Sequence, residues 1–208
     1  MRKVRFDLAA IVLAISAALV GAYLIVHGMG ESPAAAPLPH HEFSMKAEAV
    51  KNPSGKAPEV PRDTVSIPAI GVSAPLVANS LDSDGNLPIP EDVSQLTWWN
   101  GSASIDALDG AVLVAGHVDN RSQGAGALYR LHELQPGAAV FLDRDGTLTR
   151  WKVIEMTVID KTALPDDVFR GARGDRELIL VTCGGDVVRD EGGRSAYRDN
   201  VIVTAAPY

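Results

Sequence analysis

The feature that most constrains the fold is a series of short β-prone runs that begins near Asp63 and continues through the rest of the chain. The runs are TVSIP, APLVA, SQLTWWN, GAVLVAGH, AAVFLD, LTRWKVIEMTVI, ELILVTC and DNVIVTA. Turn residues separate them, and the helical candidates ALYRLHEL and ALPDDVFR are both short. About eight strands with so little helix predict an all-β barrel or sandwich.

Two Asp-Gly pairs indicate where the chain turns. The segments DSDGN and DRDGT each suit a tight hairpin connection between neighbouring strands. In the first segment, Asp82, Asp84 and Asn86 alternate around Gly85, as ligands do in a calcium-binding loop. The later glutamate and the full spacing of such a loop are missing, so a hairpin is favoured over a calcium site.

Composition limits the kinds of partner. The chain has 208 residues, of which 46% are apolar, and this is enough for one core of ordinary size. The formal net charge is −7 at pH 7, and no run of Lys or Arg follows the first five residues. These values argue against a phosphate-binding surface, and nucleic acid is not an expected partner.

The N-terminal segment predicts a membrane anchor. Residues 1–7 carry three basic groups, and the next stretch, Leu8–Val26, has no charge and is long enough to span a bilayer as a helix. The positive-inside rule places residues 1–7 in the cytoplasm, a transmembrane helix at 8–27 and the remainder outside the cell. A cleaved signal peptide is the alternative, because small residues follow in SPAAAP.

Residues 28–62 separate the anchor from the β-rich part of the chain. They are rich in Pro, Ala and Gly and show no sustained apolar period, so we interpret them as a linker. His40 and His41 fall in this segment and are interpreted as solvated. The β-rich residues 63–208 then form one extracellular domain.

The only cysteine, Cys183, ends the strand-like run LILVTC and is followed by Gly184 and Gly185. A cysteine in this place is either a small buried residue of the core or a thiol kept free for reaction. The two glycines favour a reactive thiol, because they would leave space for a substrate backbone. A catalytic thiol also needs an acid or base partner and a group that stabilises developing negative charge.

Among the five histidines, His117 is the one that directly follows a buried-looking strand, AVLVAG. A histidine at such a strand end is either structural or catalytic. His132 lies instead in a helical candidate. The 66 residues between His117 and Cys183 do not determine whether the two side chains meet.

Four segments, in order, resemble the sortase family. VSIPAIGVSAPL resembles the opening strand pair of the family, VLVAGHVDN its histidine segment, LILVTC its nucleophile strand and YRDNVIVTA its terminal arginine strand. The resemblance extends from Asp63 to Tyr208. Within the family, TCGG and YRDNV look most like the class F sortases of actinobacteria.

This resemblance implies an eight-stranded β-barrel, which agrees with the eight runs, and a membrane-anchored cysteine transpeptidase. Such an enzyme would cleave an LPXTG-like C-terminal sorting signal, form a thioester, and pass the acyl chain to an amine of a cell-wall precursor or pilin. By position, Cys183 would be the nucleophile, His117 the acid and base, and Arg198 the stabiliser of the oxyanion. From the residues themselves, Thr182 and Asp119 are candidates to support the site by hydrogen bonds, and a purely structural role in a strand or turn is the alternative for each. No cofactor or metal ion is implied.

The position of the arginine is open, because Arg189 and Arg194 are alternatives to Arg198. Arg198 is favoured because it directly precedes DNVIV. If that run is a strand, Arg198, Asn200 and Ile202 share one face.

Two other functions are open as well. The first is a membrane-tethered extracellular β-domain that binds wall or protein ligands without chemistry, with Cys183 merely buried. The second is an L,D-transpeptidase, another Cys/His acyl-transfer enzyme of the cell wall. The nucleophile segment of those enzymes resembles Ser-His-Gly-Cys, whereas Cys183 follows Leu-Val-Thr.

Overall fold

The computed structural model describes residues 45–46, 59–189, 193 and 195–208. The predicted anchor, most of the predicted linker and Arg194 lie outside these residues. Within the described part of the chain, no helix is long and apolar enough to cross a membrane. The anchor and the boundaries drawn around it stay predictions.

Strands dominate the described part of the chain. They are β1 (Met45–Lys46), β2 (Thr64–Ile67), β3 (Val72–Asn79), β4 (Leu96–Trp99), β5 (Ala111–Gly116), β6 (Asp119–Asn120), β7 (Gly124–Ala125), β8 (Ala139–Arg144), β9 (Thr147–Asp160), β10 (Glu177–Arg189) and β11 (Ser195–Pro207). Short 3₁₀ turns lie at Pro68–Ile70, Leu131–Glu133, Lys161–Ala163 and Asp166–Phe169. Each of the eight predicted runs forms a strand, and the two helical candidates form only 3₁₀ turns.

Eight of the strands close into a barrel. Around the barrel the order is β9, β11, β10, β5, β4, β3, β2 and β8, and β8 pairs in turn with β9. In addition, β1 pairs with β9, and β6 and β7 form a separate two-stranded ribbon. The expected all-β, eight-stranded barrel is confirmed.

Alternate residues of each strand build the interior of the barrel. In β10, Leu178 and Leu180 belong to the main core, whereas Ile179 and Val181 belong to a second apolar cluster on the outer face. Strand β5 is buried along its whole length because the main core and the second cluster cover its two faces. The pair β5–β10 is therefore fixed from both sides.

One of the two predicted hairpins is confirmed and the other is wrong. Asp145 and Gly146 have positive φ values of 54° and 84° and join β8 to β9 as an antiparallel hairpin. The DSDGN segment instead lies between β3 and β4, which are parallel. There the Gly85 N–H donates to the Asp82 carbonyl oxygen at 3.1 Å, so the chain makes a local turn within a longer crossover loop. An Asp-Gly pair specifies a turn but not the direction of the next strand.

Candidate active site

The site is positioned by the register between β5 and β10. The two strands pair in parallel, from Glu177 opposite Ala111 to Val181 opposite Ala115. Continuing this register by two residues places Cys183 beside His117, at the same rim of the barrel. The parallel pairing therefore decides a proximity that sequence separation left open.

A buried hydrogen bond stabilises this register next to the site. The Thr182 hydroxyl donates to the Gly116 carbonyl oxygen at 2.8 Å, and Thr182 is only 4% exposed. Thr182 and Gly116 are the residues directly before Cys183 and His117. A slip of one strand would leave a buried hydroxyl unpaired, which costs about 1–3 kcal/mol. The hydrogen bond expected of Thr182 is present.

Cys183 and His117 both line an open groove of about 870 Å³ at this rim. Other side chains that line it are Asp119, Arg121, Tyr129, Lys161, Val187 and Tyr197. Cys183 is partly exposed and forms no disulfide. A partly exposed thiol that shares a groove with an imidazole is suited to nucleophilic acyl transfer.

The backbone holds the His117 segment, while the imidazole is free. Among the described residues, the His117 side chain has no hydrogen-bond or ion-pair partner. The ribbon of β6 and β7 folds back beside it, and the Gly126 N–H donates to the Val118 carbonyl oxygen at 2.8 Å. A Cβ at Gly126 would collide with the His117 carbonyl oxygen, so this close approach requires glycine.

A hydrogen bond crosses the groove from β11 to the His117 segment. The Tyr197 hydroxyl donates to Asp119 Oδ2 at 2.6 Å. This hydrogen bond, with a smaller contribution from burial, raises the pKa of Tyr197 to about 12. The phenol is therefore neutral at physiological pH and acts as the donor. The hydrogen bond expected of Asp119 is present. Tyr197 begins the quoted segment YRDNV, but the sequence assigned it no role.

The two glycines after Cys183 do not leave space for a substrate, and that interpretation was wrong. An added Cβ at Gly184 would lie 2.7 Å from Val201 Cγ2. At Gly185, where φ is +73°, an added Cβ would collide with the Asp199 carboxylate. Side chains of the protein itself already fill both spaces. The glycines are needed for close strand packing and for a backbone conformation that L-residues avoid.

Arg198 is the fourth residue of β11 and lies opposite a β-bulge formed by Gly185 and Asp186. Its Nη1 is 3.1 Å from Asp186 Oδ2, and its Nε donates to Asp199 Oδ1 at 3.0 Å. The hydrogen bond and charge of Asp199, together with the charge of Asp186, raise the pKa of Arg198. The guanidinium is exposed and does not line the groove that holds Cys183.

The strand alternation predicted for Arg198 is present farther along β11. Ile202 belongs to the outer cluster, whereas Val201 and Val203 belong to the interior. Asn200, on the same face as Ile202, pairs directly with Cys183. The predicted face of β11 is therefore the outer one, next to the thiol.

The remaining sequence candidates lie elsewhere. Arg189 is exposed, and its Nη1 donates to the Gly193 carbonyl oxygen at 3.0 Å. His132 is exposed in a 3₁₀ turn and does not line the groove. Within the described ranges, no group of three or more His, Cys, Asp or Glu side chains is placed to hold a metal ion.

A closed β-barrel with a thiol and an imidazole in one rim groove has the arrangement required of a cysteine-dependent acyl-transfer domain. The family follows from comparison with known proteins: the sortase domain model matches residues 65–208, and the chain belongs to the sortase family. Sortases are cysteine transpeptidases that act on sorting-signal proteins and amine acceptors.

Several solved structures share this fold. Sortase C2 of pilus island 1 from Group B Streptococcus is 18% identical, with a TM-score of 0.53 over 70% of this chain and 72% of that one. Sortase C-1 from Actinomyces oris is 19% identical, with a TM-score of 0.54 over 70% and 72%. A lid mutant of sortase A from Corynebacterium diphtheriae is 16% identical, with a TM-score of 0.54 over 73% and 72%. None of the curated protein sequences compared with the chain matches it.

Proposed function

We propose that the protein cleaves an LPXTG-like C-terminal sorting signal and joins the released acyl chain to an amine. The observation that carries the proposal is the placement of Cys183 and His117 in one groove, with the preceding residues joined by a buried hydrogen bond. In this function, Cys183 is the nucleophile and His117 is the general acid and base.

The reaction has two halves that use the same thiol. The Cys183 thiolate attacks the carbonyl carbon of the threonine in the signal, and the bond from that carbon to the next glycine nitrogen breaks. Protonated His117 gives its proton to the leaving amine. The acceptor amine then attacks the thioester, neutral His117 takes the proton, and the carbon–sulfur bond breaks. The acceptor is an amine of a cell-wall precursor or of a pilin.

Arg198 is proposed as the donor that stabilises the oxyanion in both halves. A guanidinium stays charged at any working pH and can donate two hydrogen bonds to one substrate group. In the structure, Asp186 and Asp199 hold the guanidinium on the exposed surface of β11, outside the lining of the groove, so this role requires it to leave one of these partners. Exposed ion pairs contribute little net stability, so exchanging one carboxylate for the substrate oxyanion costs little.

Two finer statements belong to the same proposal. The segments TCGG and YRDNV support a class F sortase. The uncharged stretch within residues 8–27, with basic residues before it, supports a single-pass anchor in the cell membrane, with residues 1–7 in the cytoplasm and the domain at 63–208 outside. An anchor would raise the local concentration of secreted substrates at the membrane.

The test is incubation of the detergent-solubilised full chain, and in parallel of residues 63–208, with a panel of signal peptides and an amine donor. Mass spectrometry should show cleavage after threonine and a product joined to the amine. Without the amine, an acyl adduct should accumulate on Cys183. Peptides that stay intact with the full chain, under conditions where the protein is folded, would contradict the proposal.

Thiol modification and the peptide assay together separate this function from the alternatives. A small polar methanethiosulfonate should modify Cys183 in the folded protein, because the thiol is partly exposed. Binding of signal peptides without cleavage would instead indicate a non-catalytic extracellular domain. Exchange on peptidoglycan stem peptides, with sorting signals left intact, would indicate an L,D-transpeptidase.

A further inference from the structure

The hydrogen bond between Tyr197 and Asp119 joins two parts of the site that are not paired as strands in the described residues. Asp119 lies two residues after His117, and Tyr197 lies in β11 directly before Arg198. Both side chains line the groove that contains Cys183. A single hydrogen bond of 2.6 Å therefore spans the groove between the histidine segment and the arginine strand.

The other two connections within the site are made elsewhere. Strands β10 and β11 pair directly at Cys183 opposite Asn200, which joins the thiol to the arginine strand. The hydrogen bond from Thr182 to Gly116 joins the thiol strand to the strand before His117. Strand β5 ends at Gly116, so the position of His117 depends on the contacts made by the residues that follow it.

The imidazole of His117 needs support from its flanking segments because no other described group hydrogen-bonds to it. Among the described residues, it has no hydrogen-bond partner that would set its orientation. Proton transfer to a leaving amine requires the imidazole and the thiol to be aligned, and a displacement of about 1 Å can cost about 10²-fold in rate. Support from both flanks of His117 would provide that alignment.

We propose that Tyr197 and Asp119 are positioning residues that align His117 with Cys183. This inference rests on the proposed function, since it assigns a role within that reaction. Tyr197 acts through Asp119, by a hydrogen bond to a carboxylate, which is stronger than one between neutral groups. Neither side chain needs to touch the reacting atoms.

The test compares Tyr197→Phe, Asp119→Ala, Asp119→Asn and the double variant Tyr197→Phe/Asp119→Ala in the peptide assay. Tyr197→Phe and Asp119→Ala should each lower kcat about tenfold and leave KM within about twofold, because alignment is lost and binding is not. The double variant should be no slower than the slower single variant, because both changes remove the same bond. Asp119→Asn should keep most of the wild-type kcat, because its Oδ1 still accepts from the phenol.

Tyr208→Phe is the matched control, since it removes a phenol hydroxyl at an exposed position outside this groove. Its kcat should equal that of the wild type, and every variant is assayed well below its own unfolding temperature. Three results would each overturn the proposal: a Tyr197→Phe enzyme with unchanged kcat, additive losses in the double variant, or an Asp119→Asn enzyme as slow as Asp119→Ala.

A second measurement tests the positioning role independently of peptide cleavage. The rate at which methanethiosulfonate modifies Cys183 reports on the thiolate, which a neighbouring imidazolium stabilises. That rate should fall in both Tyr197→Phe and His117→Ala, with the larger fall in His117→Ala. If no peptide is cleaved but this dependence is found, the proposed function fails and the positioning role stands. If peptides are cleaved but neither kcat nor the modification rate responds to Tyr197→Phe, only the positioning role fails.

Discussion

The two halves of strand β10 differ sharply in burial. Residues Glu177–Gly184, the buried half, are buried or half-buried; those from Leu178 onward pair with β11, and the first five residues of this half pair with β5. Residues 185–189, the rim half, are all exposed and have β11 as their only partner strand in the described structure. Cys183 lies at the end of the buried half, one residue before the boundary.

This difference indicates how one strand could both fix the proposed nucleophile and leave its surroundings adaptable. In the buried half, the two apolar clusters cover both faces, and residues 178–181 have a partner strand on each edge. In the rim half, the bulge opposite Arg198 interrupts the pairing with β11. The guanidinium of Arg198 contacts the carboxylates of Asp186 and Asp199. Acyl transfer needs a thiol that does not move and a charged donor that can change partner.

The largest expected effect is a loss of activity without a loss of stability at Cys183, and the reverse in the core of the buried half. Cys183→Ala should abolish cleavage and leave the unfolding free energy nearly unchanged, because it removes one partly exposed sulfur. Leu180→Ala, three residues earlier and fully buried, should lower the unfolding free energy by about 3 kcal/mol. Its kcat should stay near that of the wild type where it remains folded. Urea unfolding and peptide cleavage on the same samples measure both. Wild-type turnover by Cys183→Ala would end the assignment of the nucleophile.

The next effect concerns the charged donor opposite the rim half. Arg198→Ala should lower kcat by about 10²-fold, and Arg198→Lys should recover little, because an ammonium cannot donate two parallel hydrogen bonds. Arg189→Ala, an exposed charge in the rim half, is the matched control and should be close to wild type. If Arg198→Ala turns over within a few-fold of wild type while Arg194→Ala is inactive, the donor is Arg194.

A smaller effect tests the bulge at the boundary. Gly185→Ala should lower the unfolding free energy by about 2 kcal/mol or more, since φ is +73° and the new Cβ would displace Asp199. Gly146→Ala is the control, because its φ is +84° but open space surrounds it, and it should cost about 1 kcal/mol. Equal losses in the two variants would show that the contact with Asp199 contributes nothing.

The smallest expected effect is the pH dependence that Tyr197 contributes. Its pKa is about 12 in the folded protein, against an ordinary value of 10.0. The folded state therefore retains the proton more tightly, and the stabilisation is fully present below about pH 10 and is lost as the pH rises through about 12. Wild type should lose more stability over this range than Tyr197→Phe, as measured by urea midpoints at successive pH values. Parallel curves for the two proteins would contradict this linkage.

Much of the fold could be predicted because its signals are local. The aliphatic and β-branched residues of each β-prone run, and the turn residues between runs, depend only on neighbouring residues. All eight runs form strands for this reason. The prominence of Cys183 and His117 is local as well, since each follows directly on such a run. The two wrong predictions concerned contacts between distant segments. The DSDGN turn precedes a parallel strand, and the space beside Gly184 is filled by Val201 from another strand.

By itself, the sequence determined the eight strands of the barrel and, through its resemblance to sortases, the candidate groups for the chemistry. Only the tertiary structure decided that β5 and β10 pair in parallel, which brings Cys183 beside His117. It also decided that Arg198 faces two carboxylates and that Tyr197 reaches Asp119. The physical reason is that secondary structure follows from the conformational preferences of adjacent residues, whereas these contacts depend on strand register. Register is set by the packing of all the strands together, and no segment of the sequence contains that information alone.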